Sequence, residues 1–473
     1  MLPSNVRSKL ALDEDFEEQD EEVEQEEEVE QEEEVEQEEE VEGEEGLYAP
    51  LVFEQYGCEL VQGLKLLKTF LDHGPAFEPL KEQIPSANAL GQPAASCGKM
   101  AILLYTGMFM AITSKFPIGI LGATGMVGQR FIQLLENHPW FEVSWLAASD
   151  RSSGKSYGEA ANWRLDTRLP EPIAKMTVQP AEPAGAPKII FAALDAAIAR
   201  EMEPVFATAG CAVISNSSAY RMAANVPLVI PEINADHLHL VEQQPTRAAS
   251  GGYMVTNPNC STIGLVMALK PLEVRFGIEQ IFVTTMQAVS GAGYPGVPSM
   301  DILGNVVPYI GSEEEKMEAE TLKLLGKLTG HLVEPLGARI SAHCNRVPVE
   351  DGHTENVSIK LGNKLGRPVT RQDLLAAWAE FMPLAGQGLP TAPDQPVVWA
   401  PENDRPQPRL DRNRGHGMAV TVGRLRPCPL LDWKFTLLSH NTIRGAAGAA
   451  ILNAELLASL GKLEPVAEAA VRV

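Results

Sequence analysis

The sequence predicts an α/β protein: a parallel-sheet domain, then an α+β domain, behind an acidic N-terminal extension. Three observations carry that prediction. From residue 117 onward, short apolar runs alternate with helical stretches. A glycine-punctuated turn follows the first of those runs. After Cys260 the texture shifts to longer strand-like segments separated by helices. Alternation of strand and helix argues for a parallel sheet with helices on both faces. The chain of 473 residues is long enough for two or three domains, and its 45% apolar and 21% charged content is that of a soluble globular protein.

The extension covers residues 1–115. Residues 13–45 contain 23 Asp and Glu and no Lys or Arg, so of a net charge of -25 the rest of the chain carries only -2. Val23, Val29, Val35 and Val41 recur every six residues in this tract. One valine in six cannot cover a helix face, and like charges at i,i+4 repel, so disorder is the expected state. Residues 46–115 mix Pro, Gly and short apolar patches that suggest a helix or two and no chemistry. The run "AILLYTGMFMAI" at 101–112 is twelve residues, too short to span a bilayer. Acidic residues crowd the N-terminus where a targeting peptide would be basic. No basic patch argues for nucleic acid. The six cysteines lie far apart without a CxxC pair, which suits a reducing compartment and argues against a zinc site. A cytoplasmic protein is expected, without metal, membrane or nucleic-acid partner.

Residues 116–258 read as the first domain. "FPIGILGATGMVGQRFIQLLENHPW" is a strand, a glycine turn and a helix, and "FEVSWLAASDRSSGK", "APKIIFAALD" and "CAVISNSSAY" supply further strands. Gly122, Gly125 and Gly128 form GxxGxxG where the strand hands over to the helix. A pyrophosphate needs close approach to the backbone there, and the helix N-terminus receives its charge. In isolation the same glycines would be an ordinary tight turn. With Thr124, Met126 and Val127 of the same turn they form the candidate cofactor contacts of a Rossmann-type domain. About twenty residues on, an NAD enzyme places an acidic residue for the ribose hydroxyls. Here Ser149, Arg151 and Ser152 cluster instead and suit a 2′-phosphate. Asp150 is the contrary residue, and a solvated loop is the plain alternative. The balance favours NADP(H).

The second domain is expected over 259–440. In "TNPNCSTIGLVMALKPLE", Ile263, Val266, Leu269 and Leu272 fall at spacings of three, which predicts a helix with one buried face. Cys260 at its start is either a small buried hydrophobe or a thiolate favoured by the helix N-terminus. Strands are expected in "IEQIFVTTMQAVSG", "ENVSIKL", "MAVTVGRLR" and "WKFTLLS". Over 441–473, "SHNTIRGAAGAAILNAELLASLG" reads as an Ala-rich helix opened by Asn441 and Thr442, returning to the nucleotide domain.

Six stretches, "GILGATGMVGQRF", "ISNSSAYRM...VPLVIPEIN", "NPNCST", "MQAVSGAGYPG", "CNRVPVEDGHTE" and "SHNTIRGAAGAA", together resemble aspartate-β-semialdehyde dehydrogenases of the fungal and archaeal branch. The resemblance runs in unbroken order from about residue 116 to 460. It implies that Cys260 is the nucleophile, its pKa lowered by the helix start and a histidine. His353 matches the acid/base, a role that needs a pKa close to neutrality. Gln287 matches the amide that orients the acyl group. Arg346, a planar guanidinium, matches the carboxylate clamp. Arg221 and Lys316 match the phosphate-binding positions, Glu313 is placed to hold the substrate ammonium, and Asn259 belongs to the substrate set. Glu313 and Lys316, one helical turn apart, also read as a solvated helix face. Ser290, Gly291, Gly293 and Asn441 match contacts to the nicotinamide end, while Cys344 is expected to be structural.

The reaction so implied is NADPH-dependent reduction of L-4-aspartyl phosphate to L-aspartate 4-semialdehyde with release of phosphate. It leads toward threonine, methionine and, in many organisms, lysine, and the family's members are homodimers or homotetramers with NADP domains turned outward. Two rivals stay open. One is a sister reductase of N-acetylglutamyl phosphate or a malonyl thioester, whose substrate would offer no ammonium to Glu313. The other is a regulatory NADP-binding protein that has lost catalysis, against which Cys260, His353, Gln287 and the glycine turns all stand.

Overall fold

A computed structural model of the chain describes residues 115–463. The acidic tract, the run at 101–112 and residues 464–473 lie outside the described residues, and so does the expectation of disorder made for the extension.

The first sheet is parallel. Strand β1 (Phe116–Leu121) leads through the glycine turn into helix α1 (Met126–Leu135), followed by β2 (Phe141–Ala147), β3 (Ile189–Ala192), α2 (Ala196–Thr208), β4 (Ala212–Ser215) and β5 (Tyr253–Thr256). The five strands lie in the order β2-β1-β3-β4-β5, all parallel. Chain order reverses between β1 and β3, and an open α/β sheet binds its ligand in the crevice beyond such a switch point. Strands β3 and β4 are four residues each and wholly buried, which is why they appear in the sequence as unbroken apolar runs.

Helix α3 (Cys260–Phe276) leaves the end of β5 and leads into a six-stranded mixed sheet. Its elements are β6 (Ile278–Gln287), α4 (Glu313–Leu324), a small hairpin of β7 (Lys327–Thr329) and β8 (Leu332–Glu334), β9 (Arg339–Arg346), β10 (His353–Leu361), α5 (Arg371–Ala379), β11 (Val397–Ala400), β12 (Val420–Pro427) and β13 (Trp433–Ser439). The sheet order is β11-β12-β13-β10-β6-β9. Along β10 the residues alternate: Val357, Ile359 and Leu361 join the core with α3, while Asn356 is exposed and Ser358 and Lys360 are half-buried.

Two expectations are corrected, and several strands went unread. Helix α3 is not buried on one face alone, for every residue from Ser261 to Leu269 is buried. The sheet, α4, α5 and the C-terminal turn surround it, and Gly264 lies so close to Ser439 that a Cβ would sit 2.7 Å from its Oγ. The C-terminal helix α6 spans Gly448–Ser459, starting later than Asn441, because a π-helical turn at Ile443–Ala447 precedes it. Strands β5, β7, β8, β9 and β11 were not anticipated. Strand β9 is a sheet edge with exposed polar residues interleaved among its buried ones, so it has no apolar run to read.

Helix α6 packs on the parallel sheet: Ala450, Ile451, Ala454 and Leu457 share a core with Ile118, Ile120, Phe131 and Ile214. Among the described residues no helix is long and apolar enough to cross a membrane.

Candidate active site

Cys260 stands one residue inside a well-capped helix. The side-chain oxygen of Asn259 accepts from the backbone N–H groups of Ser261 at 2.9 Å and Thr262 at 3.2 Å, closing two of the open donors at the start of α3. The Cys260 Sγ lies 3.3 Å from Nε2 of His353. On its other side, the His353 ring accepts the backbone N–H of Ala288 at Nδ1, 3.0 Å away. A backbone N–H only donates, so Nδ1 carries the lone pair and the neutral ring bears its proton on Nε2, facing the sulfur.

The ionisation of this pair differs from the expectation. Burial pushes the Cys260 thiol up to about 12, and Glu313 adds to the rise, against the opposing pull of Arg346 and Arg221. Burial also holds His353 well below the usual histidine range, reinforced by the positive charge of Arg346. The resting pair is therefore a thiol beside a neutral imidazole. A helix N-terminus is worth about 0.3–1 kcal/mol at exposed sites and up to ~2 in partly buried ones. Desolvation shifts a pKa by as much as about 3–5 units where burial is complete, and half-buried Cys260 feels a large part of that. Desolvation wins. Cys260 still keeps some solvent contact, which leaves an exit for its proton.

Three strand ends converge beside the sulfur. Gln287 closes β6 and Arg346 closes the parallel β9, paired in register, while His353 opens β10, which runs the other way. Gln287 is buried and donates from Nε2 to the Thr285 hydroxyl at 3.3 Å. Arg346 is aimed by a bond from Nη1 to the carbonyl of Ala288 at 2.8 Å. The turn at Val289–Ala292 packs over both. A Cβ on Gly291 would come within 2.7 Å of Arg346 Nη1 and 3.0 Å of His353 Cε1, so any larger residue must push these two side chains aside. Beyond it, Gly293 adopts a φ of +69°. Both ends of the Asn441 side chain are engaged: Nδ2 donates to the Ser290 hydroxyl at 2.8 Å, and Oδ1 accepts the N–H of Gly352, next to His353, at 2.8 Å. Cys344 is buried in the core, as expected.

One face of α4 carries a charged stripe against this site. Glu313 is buried and accepts from Asn259 Nδ2 at 2.7 Å, so the solvated-face reading does not hold for it. Lys316 reaches Glu313 at 3.7 Å and stays 34% exposed. Farther along, Glu320 accepts the backbone N–H of Asn259 at 2.6 Å and pairs with Arg221 Nη1 at 3.0 Å. Lys323 donates to the carbonyls of Arg221, Ala223 and Val226, and burial lowers its pKa to about 8. Arg221 also donates from Nη2 to the Asn216 carbonyl at 2.7 Å.

Glu320 and Lys323 were not among the sequence candidates. The available signal was their i+7 and i+10 spacing from Glu313, which puts four charges on the helix stripe that normally faces a core. Gly445 was also missed. It lies in the π-helical turn, and a Cβ there would meet the Cys260 Cβ at 2.8 Å. The same turn packs against α1, so it links the glycine turn's helix to Cys260.

At the nucleotide end, Gly122 has a φ of +83°, and a Cβ there would sit 2.4 Å from the Ala193 carbonyl oxygen. A Cβ on Gly128 would sit 2.5 Å from the Gly122 carbonyl oxygen. Helix α1 opens at Gly125 with no side-chain cap, so its first-turn N–H groups are available to an anion. Thr124, Met126 and Val127 are half-buried around it. After β2, the N–H groups of Ser152 and Ser153 donate to the carbonyl of Ser149, forming a turn with Asp150 and Arg151 exposed. This cradle fits a dinucleotide.

Residues 117–241 match the family described as semialdehyde dehydrogenase, NAD binding domain, and residues 269–444 match semialdehyde dehydrogenase, dimerisation domain. An aspartate-semialdehyde dehydrogenase of Archaeoglobus fulgidus is 51% identical over 344 residues, covering 72% of this chain and 98% of the relative. That of Saccharomyces cerevisiae is 47% identical over 361 residues, covering 73% of this chain and 98% of the relative. The crystal structure of an aspartate semialdehyde dehydrogenase with NADP from Candida albicans aligns with a TM-score of 0.69 at 44% identity, covering 74% of this chain and 100% of that one. At this identity and coverage, the chain belongs to the aspartate-semialdehyde dehydrogenase family.

Proposed function

We propose that this chain catalyses the NADPH-dependent reductive dephosphorylation of L-4-aspartyl phosphate to L-aspartate 4-semialdehyde, through a thioester on Cys260. The observation that carries the reading is the Cys260–His353 contact of 3.3 Å at a capped helix start, with Arg346 and Glu313 close enough to bear on the thiol's ionisation.

In this reading Arg346 holds the substrate carboxylate and Glu313 the ammonium, so that an N-acetylated substrate would leave Glu313 unmatched. Arg221 and Lys316 take the phosphate, with Asn259 beside them. Gln287 orients the acyl carbonyl without adding charge. Cys260 loses its proton to solvent, and the thiolate attacks the acyl carbon as the carbon–oxygen bond to phosphate breaks. His353 donates Nε2–H to the sulfur and steadies the thiolate. As the hemithioacetal collapses and its C–S bond breaks, His353 passes Nε2–H to the departing sulfur, and the Nε2 lone pair so freed takes the hydroxyl proton, leaving the ring neutral. When bound, NADPH supplies the hydride that reduces the thioester. Gly122, Thr124, Gly125, Met126, Val127 and Gly128 would hold its pyrophosphate, Ser149, Arg151 and Ser152 its 2′-phosphate, and Ser290, Gly291, Gly293 and Asn441 would border its nicotinamide end.

Residues 116–258 act as the NADP-binding domain, 259–440 as the catalytic and oligomerisation domain, and 441–463 return to the former. The match to a dimerisation domain supports a homodimer or homotetramer. The cytoplasm is the proposed compartment. The test is NADP reduction by aspartate semialdehyde, which should require phosphate. Equal turnover without phosphate, or with an N-acetylated glutamate semialdehyde, refutes the assignment.

A further inference from the structure

We propose that Glu320 is a positioning residue that couples the anion site at Arg221 to the backbone carrying Cys260. The proposal rests on the reading of Arg221 as a phosphate-binding residue.

Glu320 is 1% exposed and divides its carboxylate between two partners. One oxygen lies 3.0 Å from Arg221 Nη1 and the other accepts the Asn259 N–H at 2.6 Å. Asn259 caps α3, so its N–H has no acceptor within the helix, and Glu320 supplies one from a neighbouring helix. Arg221 is itself nearly buried, and its Nε has no partner among the described residues. A buried guanidinium with an open N–H still has donor capacity for an anion. Its charge in the ligand-free state is balanced by Glu320. Lys323 anchors the Arg221 carbonyl at 2.6 Å, so the side chain shifts against a fixed backbone.

A phosphate at Arg221 competes with Glu320 for the same guanidinium. As Arg221 turns toward the phosphate, the Glu320 carboxylate is left leaning on the Asn259 N–H, one residue before the nucleophile. Occupancy of the anion site is thereby felt at the start of α3. The same competition weakens phosphate binding, which suits a group that must leave.

Glu320→Gln keeps the size and one acceptor but removes the charge. In the phosphate-dependent direction its KM for phosphate should fall by about fivefold or more, with kcat reduced and the KM for NADP unchanged. Glu320→Asp keeps the charge but cannot span both partners. It should hold the phosphate KM near wild type while lowering kcat. Arg221→Ala should raise the phosphate KM and serves as the control. If Arg221→Ala leaves that KM unchanged, the phosphate reading itself fails. If Arg221→Ala raises it while Glu320→Gln loses only thermal stability, Glu320 is merely structural and the proposal is overturned. Should Glu320→Gln not fold, wild-type kcat in Glu320→Asp overturns it equally.

Discussion

Replacing Gly445 by alanine tests how tightly the turn over Cys260 sets the position of the sulfur. A Cβ at Gly445 would lie 2.8 Å from the Cys260 Cβ, 3.0 Å from its Cα and 3.1 Å from its carbonyl oxygen. Carbon atoms prefer separations of about 3.5–4.0 Å, so the new methyl is at least ~0.7 Å too close. Neither partner is a flexible side-chain end. Cys260 is pinned by the Asn259 cap, and the turn is locked through Arg444, which pairs with Glu232 at 2.7 and 2.8 Å in full burial. Overpacking of this kind costs about 1–3 kcal/mol of stability. A displacement of ~1 Å at a reacting atom costs on the order of a hundredfold in rate. Gly445→Ala should therefore fold, bind NADPH as wild type does, and lose roughly ten- to a hundredfold in kcat. Initial rates of NADP reduction with aspartate semialdehyde and phosphate measure the loss, and a fluorescence titration with NADPH checks binding. A kcat within about twofold of wild type, with unchanged alkylation of Cys260, would refute the claim that this contact positions the nucleophile.

Cys260→Ser should abolish turnover while NADPH still binds, because a serine hydroxyl is barely ionised near neutrality; retention of about a tenth of the activity would end the covalent mechanism. Since burial holds the Cys260 thiol up to about 12, the rate of its alkylation by iodoacetamide in the free enzyme should climb steadily with pH and show no plateau near neutrality. A plateau below about pH 8 would instead reveal a thiolate–imidazolium pair. Arg151→Ala should narrow the preference for NADPH over NADH by roughly ten- to a hundredfold, read as the ratio of kcat/KM values. Equal efficiency with both cofactors in the wild type would hand control of that pocket to Asp150. Burial raises the carboxyl of Glu203, bonded to the Ser215 hydroxyl at 2.5 Å, from 4.5 to about 7. The folded chain then keeps a proton that the unfolded chain releases. That stability is complete below pH 4.5 and is lost as pH rises through about 7, amounting to about 3 kcal/mol. Glu203→Gln should flatten the fall in the urea midpoint over this range, and an unaltered slope would show the carboxyl to be ionised throughout.

The glycine turn and the parallel sheet were legible in the amino-acid order because their causes are local. Gly122, Gly125 and Gly128 follow one strand and open one helix, and the burial of β3 and β4 on both faces leaves unbroken apolar runs. The place of Cys260 at a helix start was likewise readable from the spacing of Ile263, Val266, Leu269 and Leu272 that follows it. Its ionisation was not. The helix end argued for a thiolate, but the desolvation that outweighs it comes from elements far along the chain. The proton position on His353 depends on the backbone N–H of Ala288, which leaves no mark in the residue type. Nothing singled out Glu320 and Lys323 until α4 lay against Asn259 and Arg221. Gly445 looked like one glycine in an Ala-rich helix, and the missing Cβ matters because Cys260, 185 residues earlier, occupies that space. Backbone conformation follows from neighbouring residues, but burial and electrostatic fields are sums over everything packed nearby. The chain's order therefore announces its elements and candidate side chains, and only their packing decides which protons those side chains hold and which atoms they touch.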